Sequence, residues 1–147
     1  MLRLLKKGIE FFVRFFKGEP QKAENTVLEI QQDVILDIMD RLSDFEHKKR
    51  FLKHTSLHLL AKKLQTNPKY LSKIINIHYE KNFSSYINDL RIKYLLKELQ
   101  KDSLLKTYTV KKLAKELGFN NTEVFSKAFK KHTGVNPSNY LNSLKHS

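Results

Sequence analysis

The sequence predicts an all-α protein: two helix-turn-helix subdomains joined by a long connecting helix, with an additional helical N-terminal segment. Three observations predict it. Apolar residues recur at helical spacing nearly throughout, and the 147 residues include only four Gly and three Pro, with no sustained alternating β-branched run. The stretch GFNNTEVFSKAFKKHTGVNPSNY (118–140) restates TNPKYLSKIINIHYEKNFSSY (66–86). The chain also carries a formal net charge of +13. A balance this basic points to a polyanion, nucleic acid before an anionic membrane surface.

The chain opens with MLRLLKKGIEFFVRFFKG, an amphipathic helix over about 2–17. Leu2, Leu5, Ile9, Phe12 and Phe16 line one stripe, widened by Val13, while Arg3, Lys6, Lys7, Glu10, Arg14 and Lys17 line the other. The pattern suits a helix lying on an anionic membrane. It equally suits self-association or packing on a partner or on the domain itself. The charges break the apolar run, so it is too short to span a bilayer. It also lacks the uncharged core and cleavage site of a signal peptide, and the expected address is the cytoplasm. A linker, GEPQKAEN (18–25), leads to a second helix over roughly 26–42, with Val27, Ile30, Val34, Ile38 and Leu42 on one face. Ser43 and Glu46 have capping-box spacing, which predicts a new helix carrying Phe45, Phe51 and Leu52. Residues 1–50 thus form a helical extension.

From Ser56 the order is short helix, turn, short helix, long helix, short helix, turn, short helix, closing helix. Ser56 and Thr109 are the expected N-caps, because their hydroxyls can accept from free backbone N–H groups. Gly118 follows Leu117 and suits a left-handed cap. Asn136 before Pro137 reads as an N-cap followed by Pro at the first helical position, opening a closing helix over about 137–145.

Shifted by 54 positions, Ser72, Lys73, His78, Asn82, Ser84, Tyr86, Asn88 and Leu90 fall on Ser126, Lys127, His132, Asn136, Ser138, Tyr140, Asn142 and Leu144. Upstream the shift is 53: Ser56 meets Thr109, and Ala61, Lys62 and Leu64 meet Ala114, Lys115 and Leu117. One residue has been gained in the turn. Each copy is a cap, a helix with a small Ala, a turn and a second helix. Ala lets two helices cross closely over a tight turn, which is the sequence form of a helix-turn-helix. The copies run over about 56–78 and 109–132.

The second helix of each copy carries the functional reading. Leu71, Ile74 and Ile75 share one face and should be core, as should Phe125, Ala128 and Phe129. The other face presents Lys69, Ser72, Lys73 and Asn76 in the first copy. In the second copy it presents Asn121, Thr122, Glu123, Ser126, Lys127 and Lys130. In a major groove, Lys can donate to guanine, Asn can pair with adenine and Glu can accept from cytosine. The plainer alternative is a packing hairpin with solvated polar side chains, a protein- or membrane-surface interaction module that no longer reads bases.

At these residues the chain resembles the AraC/XylS family of transcription regulators. VKKLAKELGFNNTEVFSKAFKKHTGVNPSNYL (110–141) is similar to the family signature of Ala, Gly-Phe, Phe-Ser, Phe-Lys, Gly and Pro-Ser at these spacings. YLSKIINIHYEKNFSSYINDLRIKYLLKEL (70–99) resembles its first helix-turn-helix and connecting helix, including Arg91. The match is nearest to regulators of Bacteroidetes-type bacteria. The resemblance implies a DNA-binding domain over 51–147 with a connecting helix over about 83–101. The second helix of each unit would enter one of two successive major-groove segments of double-stranded DNA, one helical turn or about 34 Å apart. The two exposed faces differ, so the site should be asymmetric. RNA polymerase is a further candidate partner. No small-molecule effector is evident, and residues 1–50 are too short for the sugar-binding barrel of many relatives. Glu80 stands where the family usually has Gly, as Gly134 does in the second copy, so that turn must manage without glycine.

Catalytic chemistry finds no support. The absence of Cys removes disulfides, thiol nucleophiles, Cys-based zinc and thiolate alkyl-transfer chemistry, and fits a reducing compartment. The four glycines build no phosphate loop, and no set of nucleophile, base and orienting residue stands out. His54 and His58 could share a helix face, but no third ligand accompanies them. No cofactor is expected.

Overall fold

The structure, a computed structural model, describes residues 32–147. The expected helix over 2–17, the linker 18–25 and the start of the second helix lie outside the described residues. The described part comprises seven α-helices and no strand: α1 (Gln32–His47), α2 (Leu57–Lys63), α3 (Pro68–Tyr79), α4 (Phe83–Leu99), α5 (Val110–Glu116), α6 (Thr122–Thr133) and α7 (Pro137–Lys145). Short 3-10 turns lie at Arg50–Leu52 and Leu105–Thr107.

The first correction concerns α1. Ser43 does not open a new helix; α1 runs through it to His47. Ile35, Ile38, Leu42 and Phe45 are all buried at helical spacing, so continuing the helix keeps Phe45 on the core side. Glu46 caps nothing; its Oε1 accepts from the Tyr79 hydroxyl at 2.9 Å and the Tyr86 hydroxyl at 2.6 Å. Burial and the nearby Glu46 carboxylate push both phenols above their ordinary pKa, so they remain neutral donors. Val34, expected on the inner face, is exposed, and Ile35 takes its place. Phe51 is buried in the 3-10 turn that follows rather than in a helix.

Packing draws no line at residue 50. α1 and Phe51 share one core cluster with α2, α3 and the first half of α4. Arg41 ties α1 to the first helix-turn-helix by donating from Nη1 to the Leu64 carbonyl at 2.9 Å and to Gln65 Oε1 at 3.0 Å.

The two helix-turn-helix units repeat the same backbone solution. Ser56 and Thr109 cap α2 and α5 as expected, accepting from Leu59 N and Lys112 N. Ala61 and Ala114 are buried. Each first helix ends in a Schellman motif: Thr66 N donates to Ala61 O and Gln65 N to Lys62 O, matched by Phe119 N to Ala114 O and Gly118 N to Lys115 O. The left-handed position is Gln65 (φ 55°) in one copy and Gly118 (φ 83°) in the other. Asn67 and Asn121 then cap α3 and α6, so the additional residue lies between the motif and the cap.

The second helices also end alike, with Glu80 (φ 55°) where the other copy has Gly134 (φ 81°). The turn without glycine is made by forcing an exposed Glu into the left-handed region. A non-glycine residue there costs about 1–2 kcal/mol, part of which glycine returns as unfolded-chain entropy. Glu80→Gly should therefore stabilise the protein by about 0.5–1 kcal/mol, read as a higher urea midpoint. An unchanged midpoint would mean that this conformation carries no cost here.

α4 joins two cores. Tyr86, Ile87, Leu90 and Tyr94 pack on the first cluster, and Ile92, Leu95 and Leu99 on the second, with α5, α6 and α7. At 100° per residue the two sets lie roughly 160° apart on the helix. The subdomains therefore flank opposite sides of α4, leaving a seam on each remaining side. Arg91 fills one seam. Its Nε donates to Phe51 O at 2.8 Å and its Nη2 to Lys53 O at 3.2 Å, while the guanidinium sits 5.2 Å from the centre of the Phe119 ring.

Candidate nucleic-acid interface

The residues expected to read DNA lie on α3 and α6, and the fold hides neither face. In α3, Leu71, Ile74 and Ile75 are fully buried, which turns Lys69, Lys73 and Asn76 outward; all three are exposed, with Ser72 half-buried at the edge. In α6, burial of Phe125 and Phe129 turns Glu123, Lys127 and Lys130 to solvent, with Thr122 and Ser126 half-buried on the flank. Ala128, expected in the core, is partly buried and packs at its edge.

Asn121 has a structural task. It stands at the N-cap of α6, and its Oδ1 accepts from Val124 N at 2.8 Å. Asn67 does the same for α3, accepting from Tyr70 N at 2.8 Å. In either residue only the side-chain NH2 is left for a phosphate oxygen.

The outward centre of α6 is a charge pair. Lys127 Nζ lies 2.9 Å from Glu123 Oε1, with both side chains about three-quarters exposed. The hydrogen bond from Lys127 holds the Glu123 carboxyl below its ordinary pKa. The two groups stand close enough to address one G·C pair, the ammonium donating to guanine and the carboxylate accepting from cytosine N4.

Sequence reasoning missed three residues on these faces. Val124 is 41% exposed, beside Lys127 on the outer side of α6, where an apolar group can meet a thymine methyl. Tyr70 occupies the equivalent place in α3 and is half-buried, and Lys131 is exposed next to Lys130. The signal was present in the wheel: Val124 lies on the polar arc, and the core of α6 is complete without it.

The histidine pair is not brought onto one helix face. His54 lies outside any helix, before the Ser56 cap, while His58 is in the first turn of α2, so the two share no helix face. Among the described residues no group of three His, Cys, Asp or Glu side chains could hold a metal ion. Nor is any described helix long and apolar enough to cross a membrane.

With this geometry in place, the comparisons decide the family. The family model described as a helix-turn-helix domain matches residues 60–143, more than half of the chain. The chain belongs to the AraC/XylS family. Within that family it is similar to a Bacillus subtilis (strain 168) protein described as the uncharacterized transcriptional regulatory protein YesN, 33% identical over 75 residues. That alignment covers 50% of this chain and 20% of YesN, so the chain spans about a fifth of that curated relative's length. The AraC-type fold recurs in the DNA-binding domain of AdpA, a global transcriptional factor solved in complex with a target DNA. The TM-score is 0.62 at 12% identity, covering 75% of this chain and 94% of that one. It recurs again in an AraC-type DNA-binding domain-containing transcriptional regulator from Chromobacterium violaceum. There the TM-score is 0.56 at 16% identity, covering 76% and 95% of the two chains.

Proposed function

We propose that this chain is a sequence-specific transcription regulator that binds double-stranded DNA by inserting α3 and α6 into successive major-groove segments. One observation carries the reading: two copies of the same bihelical unit, joined through α4, each leave the polar face of the second helix in solvent. Charge supports it, because the part of the chain that follows α1 holds most of the excess Lys and Arg. Lys69, Lys73 and Asn76 are the base-reading candidates of α3, and Glu123, Lys127 and Lys130 those of α6, with Val124 on the same face. Ser72, Thr122, Asn121 and Ser126 lie on the flanks, where phosphate and sugar contacts position the helix without carrying sequence. The two faces differ in charge and shape, so the operator is asymmetric. The protein acts in the cytoplasm on this reading.

The test starts from binding sites selected out of random duplex DNA. Lys73→Ala and Lys127→Ala should each weaken binding to the selected site by about 1–3 kcal/mol, while binding to random duplex changes much less. An equal loss on both DNAs would reduce these lysines to phosphate contacts and remove the base-reading claim.

A further inference from the structure

Arg91 occupies one seam between the subdomains; Asp89 occupies the other. Two positions apart on α4, their side chains emerge roughly 160° from each other. The Asp89 side chain is only 17% exposed. Its Oδ2 pairs with Lys81 Nζ, and its Oδ1 lies 3.5 Å from His132 Nε2. Lys81 follows directly on the left-handed cap of α3, and His132 is in the last turn of α6. A single carboxylate on the connecting helix thus holds the C-terminal ends of both recognition helices.

We propose that Asp89 is a positioning residue that sets the distance between the two recognition helices, and so the half-site spacing the protein accepts. This rests on the DNA-reading function proposed above. The physical argument is one of leverage. α3 and α6 belong to different cores, and each core is internally well packed, so the softest freedom left is the swing of one subdomain against the other about α4. Arg91 restrains that swing on one side, through backbone carbonyls and a ring face. Asp89 restrains it on the other, at the helix ends that would move furthest. Lys81 meets Asp89 through its ammonium, and His132 Nε2 lies 3.5 Å from the other oxygen of the same carboxylate, so Asp89 faces one partner from each subdomain. A carboxylate that is itself largely shielded and shared between two partners holds geometry better than a fully exposed surface pair, because solvent screens it less.

The experiment uses the full chain and a selected site, together with the same site carrying one base pair more or one fewer between its halves. Wild type should bind the native spacing best. Asp89→Ala should lower the ratio of affinities between native and altered spacing by about tenfold, as expected for loss of a coupled pair, and His132→Ala should lower it in the same direction. Combining the two should add little, because they break one link. An unchanged ratio, or an equal loss of affinity at every spacing, would overturn the proposal, since a residue that only stabilises the fold changes all three affinities together. Should Asp89→Ala fail to fold, Asp89→Asn, which keeps the shape, is judged on the same ratio. Failure of wild type to select any site would instead overturn the DNA-reading function, and this inference with it.

Discussion

Gly118→Ala loses about 2–4 kcal/mol of stability, read as a large drop in the urea midpoint. Two costs combine. Gly118 sits at φ 83° in the turn of the second helix-turn-helix, where an L side chain is strained. An added Cβ would also stand 2.4 Å from the Leu52 carbonyl oxygen and 2.9 Å from its carbon, and 3.1 Å from Arg91 Nη2. The first two are backbone atoms and cannot swing away, so the 3-10 turn of the first subdomain must retreat from the second. Gly134→Ala is the internal control. It shares the left-handed conformation, at φ 81°, but its Cβ would meet nothing within 4 Å. It should lose only about 1 kcal/mol. Equal losses at the two glycines would mean that the approach of Leu52 to Gly118 is not what that position protects. The same logic separates Gly118 from Gln65, its counterpart in the first copy. Gln65 adopts φ 55° with a full side chain, because there Arg41 comes to its amide instead of a backbone pressing on its Cα.

Arg91→Met is the second large effect. Arg91 as a whole is 6% exposed, and burial lowers its pKa to about 10, so it remains cationic at neutral pH. Its partners are the Phe51 and Lys53 carbonyls and the Phe119 ring, which brings both subdomains to one side chain. Methionine keeps much of the stem's packing but leaves those carbonyls without their charged donor, a loss of about 2–3 kcal/mol. Removing a buried charge returns some desolvation energy, which keeps the loss at the lower end of that range. Arg91→Lys should recover only part of it, since one ammonium cannot span the fork that reaches both carbonyls. Denaturation measures the loss in stability. DNA binding provides the second measurement: with the seam loosened, affinity for a full selected site should fall towards that for one half-site. Full-site affinity equal to wild type would show that the subdomains hold their spacing without Arg91.

Much of the fold was legible because it is written in local chemistry. Ser56 and Thr109 mark helix starts through side-chain hydrogen bonds, and Asn136–Pro137 and Gly118 mark a helix start and a helix end through dihedral limits, Asn136 standing at the N-cap without a side-chain cap bond; each lies where expected. Leu71, Ile74, Ile75, Phe125 and Phe129 face inward as their spacing requires. The unbroken α1 was not legible, because Ser43 and Glu46 satisfy a capping pattern equally well in the middle of a helix. Only the distant phenols of Tyr79 and Tyr86, which claim Glu46, show that it is not a cap.

The helical class and the helix ends were thus written by residues within a turn or two of one another. The joining of the halves was not. Arg91 meets Phe51 and Gly118 meets Leu52 across long stretches of chain, and Asp89 draws together Lys81 and His132 from either side of α4. Such contacts leave no periodicity in the sequence, because their strength depends on distances that exist only once both cores have formed on opposite faces of one helix.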